Sequence, residues 1–424
     1  MYANKNDVIV VGAGIVGLAI AHELAKRNLA VTVVDKGEPA GECSGGNAGA
    51  LSYHSFAPLA LPGVLSGAIK MMCNPKGPLY VPPLYFPFAA SWLFQFVKSA
   101  EPARVYKTAE SLEWLLHHAP RDHKELATDV GFAQQMRQTG QLHLYPSEVS
   151  LAKDAFAWAL KSQLGMRMQK LDRKSIREIE RDVSPDYVVG LLLPDDHWLR
   201  DPLAYARAIA DAARLRGVAF ERASVTTLES NALNWVVRAG DRVFSATHVV
   251  LASGAWSNVL LRSVGLSVPL ETQRGYHLHV PQSDTHLSRT IVLADRKVFI
   301  TPMESGLRIA GTVEFGGTQR PGNERRATLL EHHARAGLPS LNTTRGATTW
   351  MGHRPCMPDS MPVLGQAPDR KNLWLAFGHG HLGLTGSAPT AKIIADCVTG
   401  RPPQRDQLGR FSAARFGKPA VQEA

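Results

Sequence analysis

Three glycines and one acid in this chain are spaced to hold a dinucleotide. Gly12, Gly14 and Gly17 follow the apolar run Val8–Val11, and Asp35 closes a second apolar run, Ala30–Val34. Gly12 permits a tight turn out of a strand, Gly14 lets the backbone approach a pyrophosphate, and Gly17 lets a helix lie close on the sheet. Phosphate then sits against the free N–H groups and positive dipole end of that helix. Asp35 can accept hydrogen bonds from an adenosine ribose. An aspartate here also suits a nicotinamide enzyme. No catalytic triad or carboxylate pair is evident. Cys43, Cys73, Cys356 and Cys397 show neither metal spacing nor a disulfide framework.

The elements that position this motif are legible around it. A helix from Ile15 to Arg27 turns Leu18, Ala21, Leu24 and Ala25 to one side, and Asn28 suits a left-handed cap. The 424 residues suggest two or three domains. The 47 basic residues against 37 acidic ones are dispersed, which fits a solvated surface better than a nucleic-acid footprint. No apolar run reaches the ~18 residues of a membrane span. A strand within the first ten residues leaves no room for a signal peptide, so a reducing, cytoplasmic setting is expected.

Beyond the first unit the βαβ rhythm stops. Helices are expected over Glu101–Glu125 and Val149–Leu164, with a strand at Gly140–Tyr145, and these belong to a second domain. The rhythm returns where Asp201 can cap a helix, Pro202 fits its first turn and Gly217 follows its end. Short strands are expected at Val218–Phe220, Val225–Leu228, Trp235–Arg238 and Val243–Phe244, then a run from Thr247 to Ser257. Strands between Val268 and Thr312 and a helix near Glu324–Ala336 precede a glycine-rich closing segment. The apolar stretch Leu79–Val97 has two readings, a buried part of the second domain or a membrane-docking surface. Its prolines exclude one continuous membrane helix.

Five segments, in order, resemble the FAD-dependent oxidoreductases that share the D-amino acid oxidase fold, with the bacterial D-amino acid dehydrogenases as the most similar branch. They are the glycine motif, Ser44–Gly49, Ala252–Ser257, Gly352–Asp359 and Gly378–Thr385. The resemblance implies an α/β fold in which a Rossmann-like FAD-binding domain (1–55, 195–262 and 346–424) is interleaved with an α+β substrate domain (56–194 and 263–345) on a mixed or antiparallel sheet. Noncovalent FAD is implied, held by Gly12, Gly14, Ile15, Val16, Gly17, Asp35 and Lys36, by Ser44, Asn47, Ala48 and Gly49, by Val225, Gly254 and Trp256, and by Gly380, Gly383, Leu384 and Thr385. Cys356 departs from the spacing of the covalently flavinylated relatives and is expected to be a small buried thiol.

For the substrate, the resemblance implies that Arg354 grips a carboxylate through its planar guanidinium. Tyr53 or Tyr276 would add a hydroxyl, and the carbonyl of His381 would receive the amine. The implied reaction is oxidation of a D-amino acid, a cyclic one included, to an imino acid that water hydrolyses. The flavin performs the chemistry without a dedicated base. Electrons would pass to a quinone or another acceptor, with the protein peripheral on the cytoplasmic membrane. The alternatives are a sarcosine- or glycine-type amine oxidase and a noncatalytic FAD-binding subunit.

Overall fold

A computed structural model describes residues 6–63, 77–231, 233–341 and 344–417; Cys73 lies outside them. Two large sheets dominate. In the first, the parallel order runs Ala219–Arg222, Val31–Asp35, Asn6–Val11, Arg242–Leu251, and Leu373–Phe377 joins the far side of Arg242–Leu251. Alternate residues of the opening strand feed two cores. Val8 and Val10 pack with Leu18, Leu24, Ile209 and Ile394 from the covering helices. Ile9 and Val11 pack with Leu228, Trp235 and Val237 on the other face. Both faces are covered, which is why the run is apolar throughout instead of alternating. Asn28 adopts φ 62°, the left-handed geometry expected after the Ile15–Lys26 helix.

The second sheet has nine strands and is mostly antiparallel. Its two longest, Glu271–Val280 and Gly306–Phe315, pair with each other, and the strand Gln141–Tyr145 joins Thr290–Leu293 in parallel. The α/β class and the mixed sheets agree with the expected fold. The strand Thr348–Cys356 pairs with Glu271–Val280 and so lies in the second sheet, although the expected boundary at 346 assigned it to the first.

Several local expectations are corrected. The helical patterns expected over Glu101–Glu125 are two helices, Pro102–Leu116 and Ala119–Asp129, divided where Pro120 has no N–H to continue the first and suits the opening turn of the second. The Val149–Leu164 helix likewise splits into Glu148–Ala152 and Ala155–Gln163. Val225 precedes its strand, which starts at Thr227, and Arg242–Leu251 is one continuous strand. Leu79–Val97 is partly buried and partly not. It forms a short strand, Leu79–Tyr80, and leads into a helix, Phe86–Ser99, that buries Ala89 and Trp92. Trp92 stacks on Phe96, meets Phe315 edge-on, and donates its indole N–H to the Cys356 carbonyl at 3.2 Å. Leu84, Phe88 and Phe94 stay exposed.

Candidate active site

Between the two sheets lies a cleft of about 1330 Å³, lined from both. That exceeds the ~300–1,000 Å³ of ordinary small-molecule pockets and leaves room for a dinucleotide and a second ligand. At one end the glycine turn meets its physical requirements. Gly12 has φ +113°, and a Cβ there would lie 2.5 Å from the Ala252 carbonyl oxygen. A Cβ on Gly17 would lie 2.0 Å from the Gly12 carbonyl oxygen, so this glycine serves helix-to-turn packing and does not itself line the cleft. Gly14, Ile15 and Val16 do line it.

The Asp35 carboxylate is oriented by two backbone amides, accepting from Ala13 at 2.7 Å and Gly37 at 2.8 Å. A carboxylate has about four acceptor positions, so capacity for ribose hydroxyls remains. The Ser44 hydroxyl accepts from the Ile15 amide at 2.9 Å, pinning its loop to the helix start. Asn47 closes that loop by donating to the Ser44 carbonyl and accepting from the Gly49 amide at 2.7 Å. Ser44, Asn47 and Ala48 line the cleft, whereas Gly49 supports the loop from behind with φ +71°. Val225, Gly254 and Trp256 line the same end, and the Lys36 ammonium sits 3.5 Å from the centre of a Trp256 ring. The apolar walls, small residues and backbone amides fit an adenine dinucleotide.

The other end is built by the turn after strand Leu373–Phe377. Gly378 and Gly380 take positive φ, a short 3-10 turn spans Gly380–Leu382, and the helix Gly383–Val398 begins at the cleft wall. Gly380, Gly383, Leu384 and Thr385 all line the cleft. The Thr385 hydroxyl accepts from the Ser52 amide at 3.2 Å, and its carbonyl meets His123 Nε2 at 2.9 Å. That leaves the Thr385 O–H free to donate beside a positive helix end.

Arg354, on strand Thr348–Cys356, lies over Gly275 of the neighbouring strand, where an added Cβ would fall 2.1 Å from its Cζ. It donates to the Thr312 carbonyl at 3.4 Å and has no carboxylate partner among the described residues. Replacing Gly275 with alanine should therefore spare the fold and displace the guanidinium. The expected result is an unchanged melting temperature with KM for the substrate raised about tenfold or more, as for a weakened charged contact; an unchanged KM would show that Arg354 does not set substrate affinity.

His381 faces the open cleft, where the surrounding protein and then Arg354 hold its pKa down to about 4, so its ring is neutral at pH 7. The expected tyrosines fare differently. Tyr276 lines the cleft, but its hydroxyl donates to the Glu314 carboxylate and accepts from the Asn323 amide at 3.0 Å, so it is spent internally. Tyr53 is buried against His197 and does not line the cleft. Cys356 is buried outside the lining, and burial pushes its thiol up to about 12. Sequence reasoning missed Gln141 and His143, on a strand of the second sheet, and Lys161, on helix Ala155–Gln163, which all line the cleft. Lysine on a short helix carries no signal that separates it from a solvated face.

Residues 7–397 match the model of the DAO family of FAD-dependent oxidoreductases. The chain is 37% identical to a D-amino-acid oxidase of Bradyrhizobium diazoefficiens, covering 96% of this chain and 98% of that one. It is 31% identical to a D-amino acid dehydrogenase of Vibrio atlanticus, covering 93% and 96%. Among solved structures, glycine oxidase from Geobacillus kaustophilus superposes with a TM-score of 0.74 at 24% identity, covering 97% of this chain and 99% of that one, a likeness of fold.

Proposed function

This chain belongs to the DAO family of FAD-dependent oxidoreductases and is an FAD-dependent amino-acid oxidoreductase, and from that premise we propose that it oxidises a D-amino acid to a 2-oxo acid and ammonia. The observation that carries this reading is the Arg354 guanidinium, placed in the cleft without a carboxylate of its own. A half-buried cation without a counter-charge carries a desolvation cost, and a substrate carboxylate offsets that cost with two parallel hydrogen bonds.

Each residue has a defined task. Gly12, Gly14, Asp35 and the Ser44–Gly49 loop would hold the adenosine and pyrophosphate of FAD, and the amides at Gly383 to Thr385, with the Thr385 hydroxyl, would face the pyrimidine edge of its ring. Bound FAD supplies the hydride acceptor for the substrate Cα hydrogen. Arg354 fixes the carboxylate, and the His381 carbonyl accepts a hydrogen bond from the neutral amine, so the Cα hydrogen has one orientation. His381, neutral at pH 7, leaves the amine proton to solvent. The substrate has then lost a hydride and a proton, and the resulting imino acid takes up water to give the 2-oxo acid and ammonia. Anaerobic mixing with paired D- and L-amino acids and with sarcosine tests this. Bleaching of the flavin band by D-isomers is expected; bleaching by sarcosine or L-isomers alone would reassign the substrate.

For the electron acceptor, the surface around helix Phe86–Ser99 supports a quinone held in a bilayer. Leu84 is 80% exposed, Phe88 73% and Phe94 70%, and Phe86, Leu93 and Phe94 also line the cleft, so the apolar surface runs from outside into the site. Among the described residues no helix is long and apolar enough to cross a membrane, so contact would be interfacial. Replacing Leu84 and Phe88, which lie outside the cleft lining, with serine should weaken binding to anionic lipid vesicles, read by co-flotation, by about a hundredfold or more, since each buried apolar side chain contributes about 1.5–3 kcal/mol. Turnover with a soluble dye should be unaffected. Equal flotation of variant and parent would exclude this surface as the docking face.

A further inference from the structure

The cleft holds a second cation that the reaction above does not use. Lys161, on helix Ala155–Gln163, lines the cleft with its ammonium 4.5 Å from the centre of a Trp158 ring. Among the described residues it forms no ion pair and no hydrogen bond at Nζ. Two carboxylates act on it through their charge, but neither hydrogen-bonds it: Asp154 is engaged elsewhere, and Asp196 is engaged through Oδ1 while its Oδ2 is buried without a partner. Asp154 accepts from the Tyr145 hydroxyl at 3.0 Å and from Lys297 at 3.4 Å. Asp196 accepts from the Tyr53 amide at 3.0 Å and pairs with His54 at 3.3 Å. Lys297, which also lines the cleft, adds a further positive charge on the same side. His143, beside Trp158, is neutral there, its pKa pushed well below the usual value by burial and then by Lys161 and Lys297.

Arg354 and Lys161 are thus separate cations acting on one shared neighbour. Both act on His381, whose ring they help to keep neutral. An amino acid with an uncharged side chain brings one carboxylate, which Arg354 takes, and leaves Lys161 partly desolvated with no carboxylate in hydrogen-bond contact. Burial lowers the Lys161 ammonium to about 8, because the charges of Asp196 and Asp154 offset its desolvation only in part. We infer that the preferred substrate is an acidic D-amino acid, and that Lys161 is a specificity-determining residue that receives its side-chain carboxylate. This rests on the D-amino acid reading above.

The inference has two tests, one of turnover and one of binding, both on the FAD-loaded enzyme. D-glutamate and D-aspartate should exceed D-alanine and D-valine in kcat/KM. Lys161→Met, which keeps the aliphatic length, should lower the ratio of acidic to neutral substrate by about 30-fold or more, the scale of removing one partner of a buried charge pair. Lys161→Arg should retain most of it. Independently of turnover, glutarate should perturb the flavin absorbance at a lower concentration than butyrate, and Lys161→Met should abolish that difference. Wild-type preference for neutral side chains, or a ratio unchanged in Lys161→Met, overturns the role of Lys161. Should the methionine variant not fold, the wild-type substrate ratio and the glutarate comparison decide the matter. If no D-amino acid bleaches the flavin, the parent reading fails, and glutarate binding no tighter than butyrate would then remove the second anion site as well.

Discussion

Replacing Arg354 with methionine should lower kcat/KM for D-amino acids by about three orders of magnitude, or about 4 kcal/mol, while leaving bound flavin in place. The size follows from losing a charge-assisted, two-pronged contact inside a cleft, where truncating one partner costs about 2–5 kcal/mol. The separation of effects follows from position. Arg354 lies on a strand of the second sheet, whereas Gly12, Asp35 and Ser44 are held by the first sheet and its loops. Arg354→Lys should recover only part of the loss, because an ammonium cannot match both carboxylate oxygens as a planar fork does. Steady-state kinetics beside a flavin spectrum checks both statements, and a loss under tenfold would remove Arg354 from the substrate site.

Acid should unfold the enzyme and release its cofactor between pH 6.5 and 4. His22, His123, His277 and His379 are all buried, and burial is the largest cause holding each near a pKa of about 4. Arg216 and Lys26 push His22 further down against Asp129, Arg308 does the same to His277, and Asp122 opposes the shift at His123. A depressed histidine pKa means that the unfolded chain binds protons that the folded chain refuses. Stability is therefore present above about pH 6.5 and falls as pH drops towards 4, each histidine adding a slope of up to about 1.4 kcal/mol per pH unit. His123 backs Thr385, His277 Nδ1 meets the Gly46 carbonyl at 2.8 Å, and His379 Nε2 meets Thr390 at 3.0 Å behind the glycine turn. Flavin fluorescence should rise together with loss of circular dichroism, and His123→Asn should shallow the pH slope. A melting temperature constant from pH 7 to 4.5 would contradict this.

What could be read from the sequence depended on whether a residue's task was local. Gly17 and Asp35 each answer to a neighbour within one βαβ unit, so their spacing alone carried the meaning, and Gly12 was legible through its turn although the backbone it makes room for is that of distant Ala252. Tyr276 could not be read that way, because its hydroxyl is claimed by Glu314 on another strand. Tyr53 failed for a similar reason: nothing near it in the chain shows that His197 and His123 enclose it. The strand bearing Arg354 was assigned to the wrong sheet because the surrounding glycine turns resemble the closing part of the nucleotide domain. Lys161 gave no signal at all, since its significance lies in its place on the cleft wall and in neither nearby acid, Asp154 or Asp196, hydrogen-bonding it.

The interleaved sheets also set a schedule for biosynthesis. Val11 pairs with Leu251, 240 residues further along, and that strand in turn needs Leu373–Phe377 at its other edge. At about 5–20 residues per second, the opening strand waits roughly 12–50 s on the ribosome for its central partner. Until the helix Pro202–Leu215 follows, late in that interval, its apolar faces have the Val31–Asp35 strand and the first helix for cover. Neither domain can be released early by a nascent chain, so the enzyme's yield in a cell depends on what shields its first forty residues until the last two hundred arrive.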